Sequence, residues 1–229
     1  MIQAILLDYD GTIHDMDATL SKNLDGILGL NGKDLYRIYL YDVHRALIHK
    51  KFLDRHDDII FHCQLLFQIL QRPYDPEAAE LICSRLEKAG RDFSNMKFFE
   101  DAVPALRRIK ESGVEIYLST GKNAEEKAKA FERYAMEGFF KGVFSESKSM
   151  FLKTDVRYYI EALKGIGRSP RETLSIGDTL LSDIKPAKEA GIKTIWVNRR
   201  GEPAPQDPGS MPDYTASNLL EASEMLFKI

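Results

Sequence analysis

The sequence predicts an α/β protein built on a doubly wound parallel sheet, with an all-helical insertion near the start of the chain. From residue 98 onward, short apolar segments alternate with amphipathic stretches of about ten to fifteen residues, which is typical of parallel strands joined by helices. An apolar segment at 2–7 indicates a further strand, whereas 15–97 shows helical periodicity and no convincing strand. We therefore expect a core formed by 1–14 and 98–229, and a helical insertion formed by 15–97.

Three helical segments can be read in the insertion, although the sequence does not specify its exact number of helices. Asp34 is a candidate N-cap for the first, which would run to about Lys50. Apolar residues at helical spacing over 59–70 indicate the second. Pro76 opens the third, because proline is favoured in the first turn of a helix, and Gly90 fits its end.

The core is expected to continue as alternating helices and strands. Four further strands are expected at Val114–Leu118, Gly142–Phe144, Thr173–Ile176 and Lys193–Val197. Helices are expected in five segments, the first two capped by Asp101 and Asn123 and the fourth interrupted by Pro186: 101–112, 123–134, 154–164, 180–190 and 217–227. Residues 201–215, with four prolines and little apolar content, are expected to form a surface loop.

The composition is that of a globular protein and argues against two classes of partner. A net charge of -3 gives no electrostatic reason to expect binding to nucleic acid or to an anionic membrane. No apolar run approaches the length of a membrane span, and no secretory signal is visible. Cys63 and Cys83 fall in helical patterns and are expected to be buried thiols of a reducing compartment, so we expect a cytoplasmic protein. The sequence specifies no oligomeric state.

Polar side chains stand at the carboxyl ends of three of the predicted strands. Asp8 and Asp10 follow the first strand, Ser119 and Thr120 follow the next, and Asp178 follows a later one. Right-handed crossovers bring the carboxyl ends of parallel strands to one edge of the sheet, where open α/β sheets bind ligands. Asp10 and its following glycine could also be a simple turn. The agreement between three strand ends favours a shared site.

These residue types suit phosphoryl transfer. Two carboxylates as close as Asp8 and Asp10 repel each other unless a proton or a metal ion lies between them. Asp8 could attack a phosphoryl group, while Asp8 and Asp178 hold Mg²⁺, which prefers oxygen ligands. Thr120 and nearby backbone N–H groups could bind a phosphate oxygen, and Asp10 could protonate the leaving oxygen and later activate water.

Three motifs together resemble those of the haloacid dehalogenase-like (HAD) superfamily. Asp8-Tyr9-Asp10-Gly11-Thr12 is similar to the first motif, DxDGT; Ser119-Thr120-Gly121 is similar to the second; and Gly177–Asp183 resembles the fourth, GDxxxxD. The resemblance implies a Rossmann-like core. It also implies that the helical insertion is a C1 cap, which closes over the substrate.

The resemblance assigns the carboxylates individual roles. Asp8 would be the nucleophile and a Mg²⁺ ligand. Asp10 would be the general acid and base, and its backbone carbonyl would also bind the metal. Asp178 would complete the metal site. Asp183 would either contact the metal ligands without binding the metal or bind the metal through a water molecule.

The remaining motif residues are expected to bind the phosphoryl group. Thr120, together with Gly121, is preferred for this over Ser119. The family's third motif is a lysine followed by proline. Here Lys153 stands at the right separation from the fourth motif but is followed by threonine, and Lys148 is the alternative. Lys153 is preferred because the helix after it fits the family pattern.

The resemblance implies a Mg²⁺-dependent phosphatase that acts on a small phosphorylated metabolite through an aspartyl-phosphate intermediate. A phosphomutase of the β-phosphoglucomutase kind would use the same residues. Asp10 argues against a 2-haloacid dehalogenase, since a halide leaving group needs no proton. A receiver-like phospho-acceptor switch would share the acidic pocket, but not the helical insertion or the fourth motif.

Overall fold

The computed structural model describes residues 1–229, apart from the side chain of Phe227. It contains two compact units: Met1–Asp15 with Phe98–Ile229, and Met16–Lys97. We call the first the core unit and the second the helical unit.

The core unit is organised around a parallel sheet of six strands in the order β3-β2-β1-β4-β5-β6. In chain order the strands are β1 Ala4–Leu7, β2 Glu115–Thr120, β3 Phe140–Ser145, β4 Thr173–Gly177, β5 Lys193–Val197 and β6 Tyr214–Ala216. Every residue of β1 is buried, which explains its uninterrupted apolar sequence. The strand order reverses beside β1, as in a doubly wound sheet, so the predicted fold class is confirmed.

Helices accompany the strands of the core unit. The α-helices are Ala102–Glu111, Ala124–Ala135, Glu146–Ser149, Val156–Ile166, Lys185–Glu189 and Leu219–Met225. Short 3-10 helices cover Pro170–Glu172, Pro208–Ser210 and Leu226–Lys228, and a π-helical turn covers Leu180–Ile184. The amphipathic patterns are explained by burial, since the first of these helices packs Ala105, Leu106 and Ile109 inward.

Two helix caps expected in the core unit were wrong in detail. Asp101 stands at an N-cap position, but its carboxylate caps no turn of its own helix. It instead accepts a hydrogen bond from the backbone N–H of Leu219 at 2.6 Å and pairs with Arg199 at 2.9 Å. Asn123 also makes no capping bond, because its backbone is left-handed with φ at 57°. Contacts distant in the sequence thus override the local capping preference.

Two further differences concern the later part of the chain. The segment expected to be one irregular helix from Leu180 is a π-helical turn followed by a short α-helix, and Pro186 lies in the first turn of that α-helix, where proline is tolerated. The segment expected to be only a loop ends in the edge strand β6. Its three residues are too few to show a strand pattern in the sequence.

The helical unit has its own hydrophobic core. Its α-helices are Met16–Leu20, Gly32–Arg37, His49–Lys51, Ile59–Ile69 and Pro76–Arg91. A π-helix spans Ile38–Ile48, and 3-10 turns cover Ser21–Leu24, Ile27–Gly29 and Leu53–Arg55. The buried side chains include Leu35, Val43, Ile48, Leu66 and Ile82.

The first long helix of this unit begins earlier than expected. Asn31, not Asp34, is its N-cap, because the Asn31 side chain accepts a hydrogen bond from the backbone N–H of Lys33 at 2.9 Å. The helix opened by Pro76 is found where the sequence predicts it, and it ends at Arg91. Both cysteines are buried free thiols, as expected.

None of the helices in the described part of the chain combines the length and the apolar character that a membrane crossing requires.

Candidate active site

The register of the sheet brings the predicted site residues to one edge. In the central strand Leu7 lies opposite Leu118 of β2 and opposite Ile176 of β4. The polar residues that follow these three positions therefore meet at the carboxyl ends of adjacent strands. They form two groups, one around Asp8 and one around Asp10.

The first group, which we call the acidic cluster, consists of Asp8, Asp178 and Asp183. One carboxylate oxygen of each lies within 4.8 Å of the others, and all three side chains are buried. Two glycines permit this approach. A Cβ at Gly11, whose φ is +88°, would overlap the Asp178 carboxylate, and a Cβ at Gly177 would overlap the Asp183 carboxylate.

Lys153 is the cation of the acidic cluster. Its Nζ lies 2.6 Å from Asp8 Oδ1 and 2.6 Å from Asp183 Oδ1, and it donates a hydrogen bond to the Ser119 carbonyl at 2.8 Å. Burial opposes its charge, but Asp183 and Asp8 raise the pKa of Lys153 well above its usual value. Lys148, the alternative, is largely exposed and pairs with Glu125 at 3.0 Å.

Lys153, even together with Arg200 at 3.3 Å from the Asp178 carboxylate, does not balance three buried carboxylates. Burial, followed by repulsion from Asp183 and Asp178, raises the pKa of Asp8 to about 8, although Lys153 acts in the opposite direction. Burial also raises the pKa of Asp183. Thr12 Oγ1 donates a hydrogen bond to Asp8 Oδ2 at 3.0 Å and fixes that carboxylate. A site of oxygen ligands with excess negative charge fits a hard divalent cation.

Asp10 lies in different surroundings. Its carboxylate contacts His14 Nδ1 at 2.8 Å and Lys127 Nζ at 2.5 Å. Although burial raises the pKa of Asp10, the Lys127 ammonium and the His14 hydrogen bond lower it below the usual range. The carboxylate is therefore not part of the acidic cluster. Of the three residues expected to bind metal, the structure groups the side chains of Asp8 and Asp178 only.

Thr120 belongs to the surroundings of Asp10. Its Oγ1 accepts a hydrogen bond from Lys127 Nζ at 3.0 Å, so Lys127 joins Thr120 to Asp10. The hydroxyl of Ser119 instead contacts the buried phenol of Tyr158 at 3.0 Å. This contact engages Ser119 in the interior, whereas Thr120 stands among the charged groups. Gly121, the third residue of the motif, accepts a hydrogen bond from the Glu146 backbone N–H.

Comparison with known families agrees with this arrangement. A model of the haloacid dehalogenase-like hydrolases matches residues 5–197, which is most of the chain. The chain belongs to this hydrolase family. Among curated proteins, the glyceraldehyde 3-phosphate phosphatase of Methanopyrus kandleri (strain AV19) is 25% identical over 235 residues, covering 99% of this chain and 97% of the relative.

Solved structures of this family share the fold. The magnesium-bound HAD-hydrolase YfnB of Bacillus subtilis superimposes with a TM-score of 0.76 at 21% identity, over 98% of both chains. The L-2-haloacid dehalogenase of Xanthobacter autotrophicus, with chloropropionic acid covalently bound, gives a TM-score of 0.69 at 16% identity over 100% of both chains. At these identities the likeness concerns the fold.

Sequence reasoning missed three side chains of this HAD site. Lys127 is buried on the apolar face of the helix Ala124–Ala135, and a lysine at such a position is a signal that could have found it. Trp196, expected to be a core residue, donates its indole N–H to the Asp178 carbonyl at 2.9 Å. Arg200 lies 3.3 Å from the Asp178 carboxylate and follows a strand without any motif to mark it.

Proposed function

We propose that this HAD hydrolase is a Mg²⁺-dependent phosphatase of small phosphorylated metabolites that works through an aspartyl phosphate on Asp8. The observation that carries the proposal is the pair Asp8 and Asp10. One carboxylate lies in a cluster with excess negative charge, and the other is held separately beside Lys127. Asp8 thus lies where a bound cation can accompany it as nucleophile, and Asp10 lies beside an ammonium and an imidazole, where it can exchange protons.

The acidic cluster would hold the Mg²⁺. Asp8 and Asp178 would be direct ligands, with Asp183 beside them, and Asp10 would contribute its backbone carbonyl because its carboxylate is engaged elsewhere. The cation would supply positive charge to the phosphoryl oxygens. Support comes from the oxygen-only donor set and from the raised pKa of Asp8, which burial causes first and repulsion from Asp183 and Asp178 second.

Asp8 would attack the phosphorus atom as the bond from phosphorus to the leaving oxygen breaks. Asp10 is ionised in the free protein, so the proton must come from the substrate. The phosphate monoester monoanion brings this proton, and Asp10 passes it to the leaving oxygen. Water then hydrolyses the aspartyl phosphate while the Asp10 carboxylate accepts its proton. Lys153 would hold Asp8 in place and, with Thr120 and Gly121, bind the phosphoryl oxygens. Lys127, which contacts Thr120, would join them.

The relative from Methanopyrus kandleri suggests where to look for the substrate. That protein is named for glyceraldehyde 3-phosphate, so triose and other small sugar phosphates come first in our proposal. We place the reaction in the cytoplasm, which agrees with the two buried free thiols. The helical unit as a substrate cap remains a prediction.

Phosphate release from a panel of metabolite phosphates, including glyceraldehyde 3-phosphate, tests the proposal. Release should need Mg²⁺, stop on addition of EDTA, and fall by about 10³-fold or more in Asp8→Asn, which lacks the nucleophile. Glu161→Gln, which removes an exposed carboxylate of the core unit by the same chemistry, should match the wild type. Undiminished release in Asp8→Asn would overturn the proposal.

The alternative reactions have their own outcomes in this assay. Interconversion of sugar phosphate isomers without free phosphate would indicate a mutase. Release of halide from 2-chloropropionate would indicate a dehalogenase, which the presence of Asp10 argues against, since a halide leaving group needs no proton. Stable phosphorylation of Asp8 without turnover would indicate a phospho-acceptor switch.

A further inference from the structure

The helical unit contains a group of histidines that are not among the residues of the HAD site. The chain has five histidines, and four of them lie between positions 44 and 62. The ring centroids of His44 and His49 are 4.4 Å apart, and His56 lies 5.1 Å from His44 and 5.4 Å from His49. One ring nitrogen of each of these three residues lies within 4.8 Å of the others. We call His44, His49 and His56 the histidine cluster.

An unusual helix places two members of the histidine cluster side by side. In an α-helix, residues five apart point about 140° away from each other. Here Ile38–Ile48 is π-helical, and the backbone N–H of His49 bonds to the carbonyl of His44. The wider π turn returns position 49 to the side of position 44. Such turns are rare and are found frequently at functional sites.

Three ring nitrogens of the histidine cluster lack the partners that buried nitrogens normally have. Among the described side chains, His44 Nδ1 and both ring nitrogens of His49 are buried without a hydrogen bond. A buried polar atom without a partner is costly, and unpaired groups of this kind often mark a ligand site. Burial, together with the neighbouring histidines and Arg45, lowers the pKa of His44 to about 2 and of His49 to about 4. Both rings are therefore neutral, which is the form that binds metal.

The surrounding residues orient the cluster. His56 Nδ1 contacts the Asp57 carboxylate at 3.2 Å, which leaves His56 Nε2 for a ligand, as in many sites where a carboxylate orients a metal-binding histidine. His62 is already engaged on both sides. Its Nδ1 accepts from the Tyr39 hydroxyl at 3.1 Å, and its Nε2 donates to the Arg55 carbonyl at 3.1 Å. His62 thus holds the backbone next to His56 and is not a ligand.

We propose that His44, His49 and His56 bind a transition-metal dication such as Zn²⁺. Neutral imidazoles suit zinc, cobalt, nickel and copper, whereas Mg²⁺ and Ca²⁺ prefer oxygen ligands. A tetrahedral zinc ion with Zn–N bonds of about 2.0 Å holds its nitrogens about 3.3 Å apart, so modest ring rotations close the cluster around it. The fourth position stays open for water or an anion.

The metal would join the π-helix to the turn Leu53–Arg55 and so stabilise the helical unit. The site is separate from the acidic cluster in both its residues and its ligand chemistry. The proposal does not depend on the phosphatase reaction, and its test needs no turnover.

The test is titration of metal-stripped protein with Co²⁺, followed by displacement with Zn²⁺. Co²⁺ in a four-coordinate imidazole site absorbs strongly in the visible, whereas in an oxygen site of higher coordination it absorbs weakly. We expect one strongly absorbing Co²⁺ per wild-type chain, bleached by Zn²⁺. His49→Gln and His56→Gln should weaken its affinity at least tenfold. His14→Gln, the fifth histidine, and Asp178→Asn should keep it.

A strong band that survives both His49→Gln and His56→Gln, or that is lost in Asp178→Asn, would overturn the proposal, as would no band in the wild type. His56→Gln guards against misfolding, because the His56 side chain is 28% exposed and its loss leaves the packing of the helical unit in place. The melting temperature of each metal-free variant checks this. Zn²⁺ should raise the melting temperature of the wild type and not that of His56→Gln.

Discussion

Asp8 and Asp10 are two residues apart, yet they lie in regions of opposite electrostatic character. Around Asp8, three buried carboxylates share one lysine, and the pKa of Asp8 rises to about 8. Around Asp10, one carboxylate faces both Lys127 and His14, and its pKa falls below the usual range. The first region has more carboxylates than cations and suits a bound metal ion, whereas in the second the carboxylate is paired with Lys127 and His14 and can exchange protons with its neighbours.

This difference arises from partners far away in the sequence. Asp8 and Asp10 leave the same strand, but Lys153 and Asp183 reach the first, and Lys127 reaches the second from the helix after β2. The spacing of a motif therefore positions two carboxylates, while the lysines supplied by the rest of the fold decide what each one does.

Among the substitutions in the two regions, removal of the lysine of the acidic cluster should have the largest effect on stability and activity. Lys153→Met leaves buried carboxylates without their cation, which should cost about 3–5 kcal/mol of unfolding free energy. It should also lower kcat/KM for phosphate release by about 10³-fold, because Asp8 loses the group that holds it. Steady-state kinetics and urea denaturation measure the two effects.

Lys148→Met is the matched control, since Lys148 was the competing candidate and lies on the surface. Lys148→Met should change neither the unfolding free energy nor kcat/KM measurably. If Lys148→Met disables the enzyme and Lys153→Met does not, the lysine of the site has been assigned wrongly.

Removing the lysine beside Asp10 should have an intermediate effect. Lys127→Met takes away the ammonium that lowers the pKa of Asp10 and that contacts Thr120. We expect kcat/KM to fall by about 10²–10³-fold, the usual effect of losing one charged group at a reacting centre. Lys129→Met, on the exposed side of the same helix, should behave as the wild type. Equal rates for both variants would show that Lys127 has no part in the reaction.

Crowding the acidic cluster should have the smallest effect, and chiefly on stability. A Cβ at Gly177 would overlap the Asp183 carboxylate, so Gly177→Ala should lose about 1–3 kcal/mol of unfolding free energy. Trp196, the single tryptophan, lies in the core unit and reports its unfolding by fluorescence. Gly138→Ala is the control, because its nearest neighbour, Glu132, is 3.8 Å from the added atom. A fully stable Gly177→Ala would show that Asp183 moves freely.

The sequence was sufficient for the framework of the fold because burial leaves a direct mark on it. The uninterrupted apolar run of β1 is that of a strand buried on both faces, and the motif residues follow strands whose ends must meet. Where side chains form long-range contacts, local patterns misled. Asp101 has the residue type of a helix cap, but Leu219 and Arg199 take its oxygens.

For the candidate site, too, the sequence predicted which residues meet but not which long-range contacts they make. Asp8, Asp178 and Lys153 lie together as their motifs indicate, but the motifs carry no information on electrostatic surroundings. The family resemblance gave the Asp10 backbone carbonyl to the metal and its carboxylate to proton transfer, and only the fold shows that this carboxylate is turned to Lys127. Lys127 itself belongs to no motif that we used. Its one signal is a lysine on the apolar face of a helix.

The most direct test of the central claim is chemical trapping of the phosphorylated residue. Asp10→Asn should slow hydrolysis of the intermediate, so substrate is added to this variant and the mixture is quenched with borohydride, which reduces an acyl phosphate to an alcohol. The tryptic peptide Met1–Lys22 is then sequenced by mass spectrometry. We predict homoserine at position 8, formed only when substrate and Mg²⁺ are both present. Homoserine at another aspartate would contradict the assignment of Asp8 as nucleophile. So would the absence of homoserine both in this variant and in wild-type protein quenched during turnover, while the wild type releases phosphate.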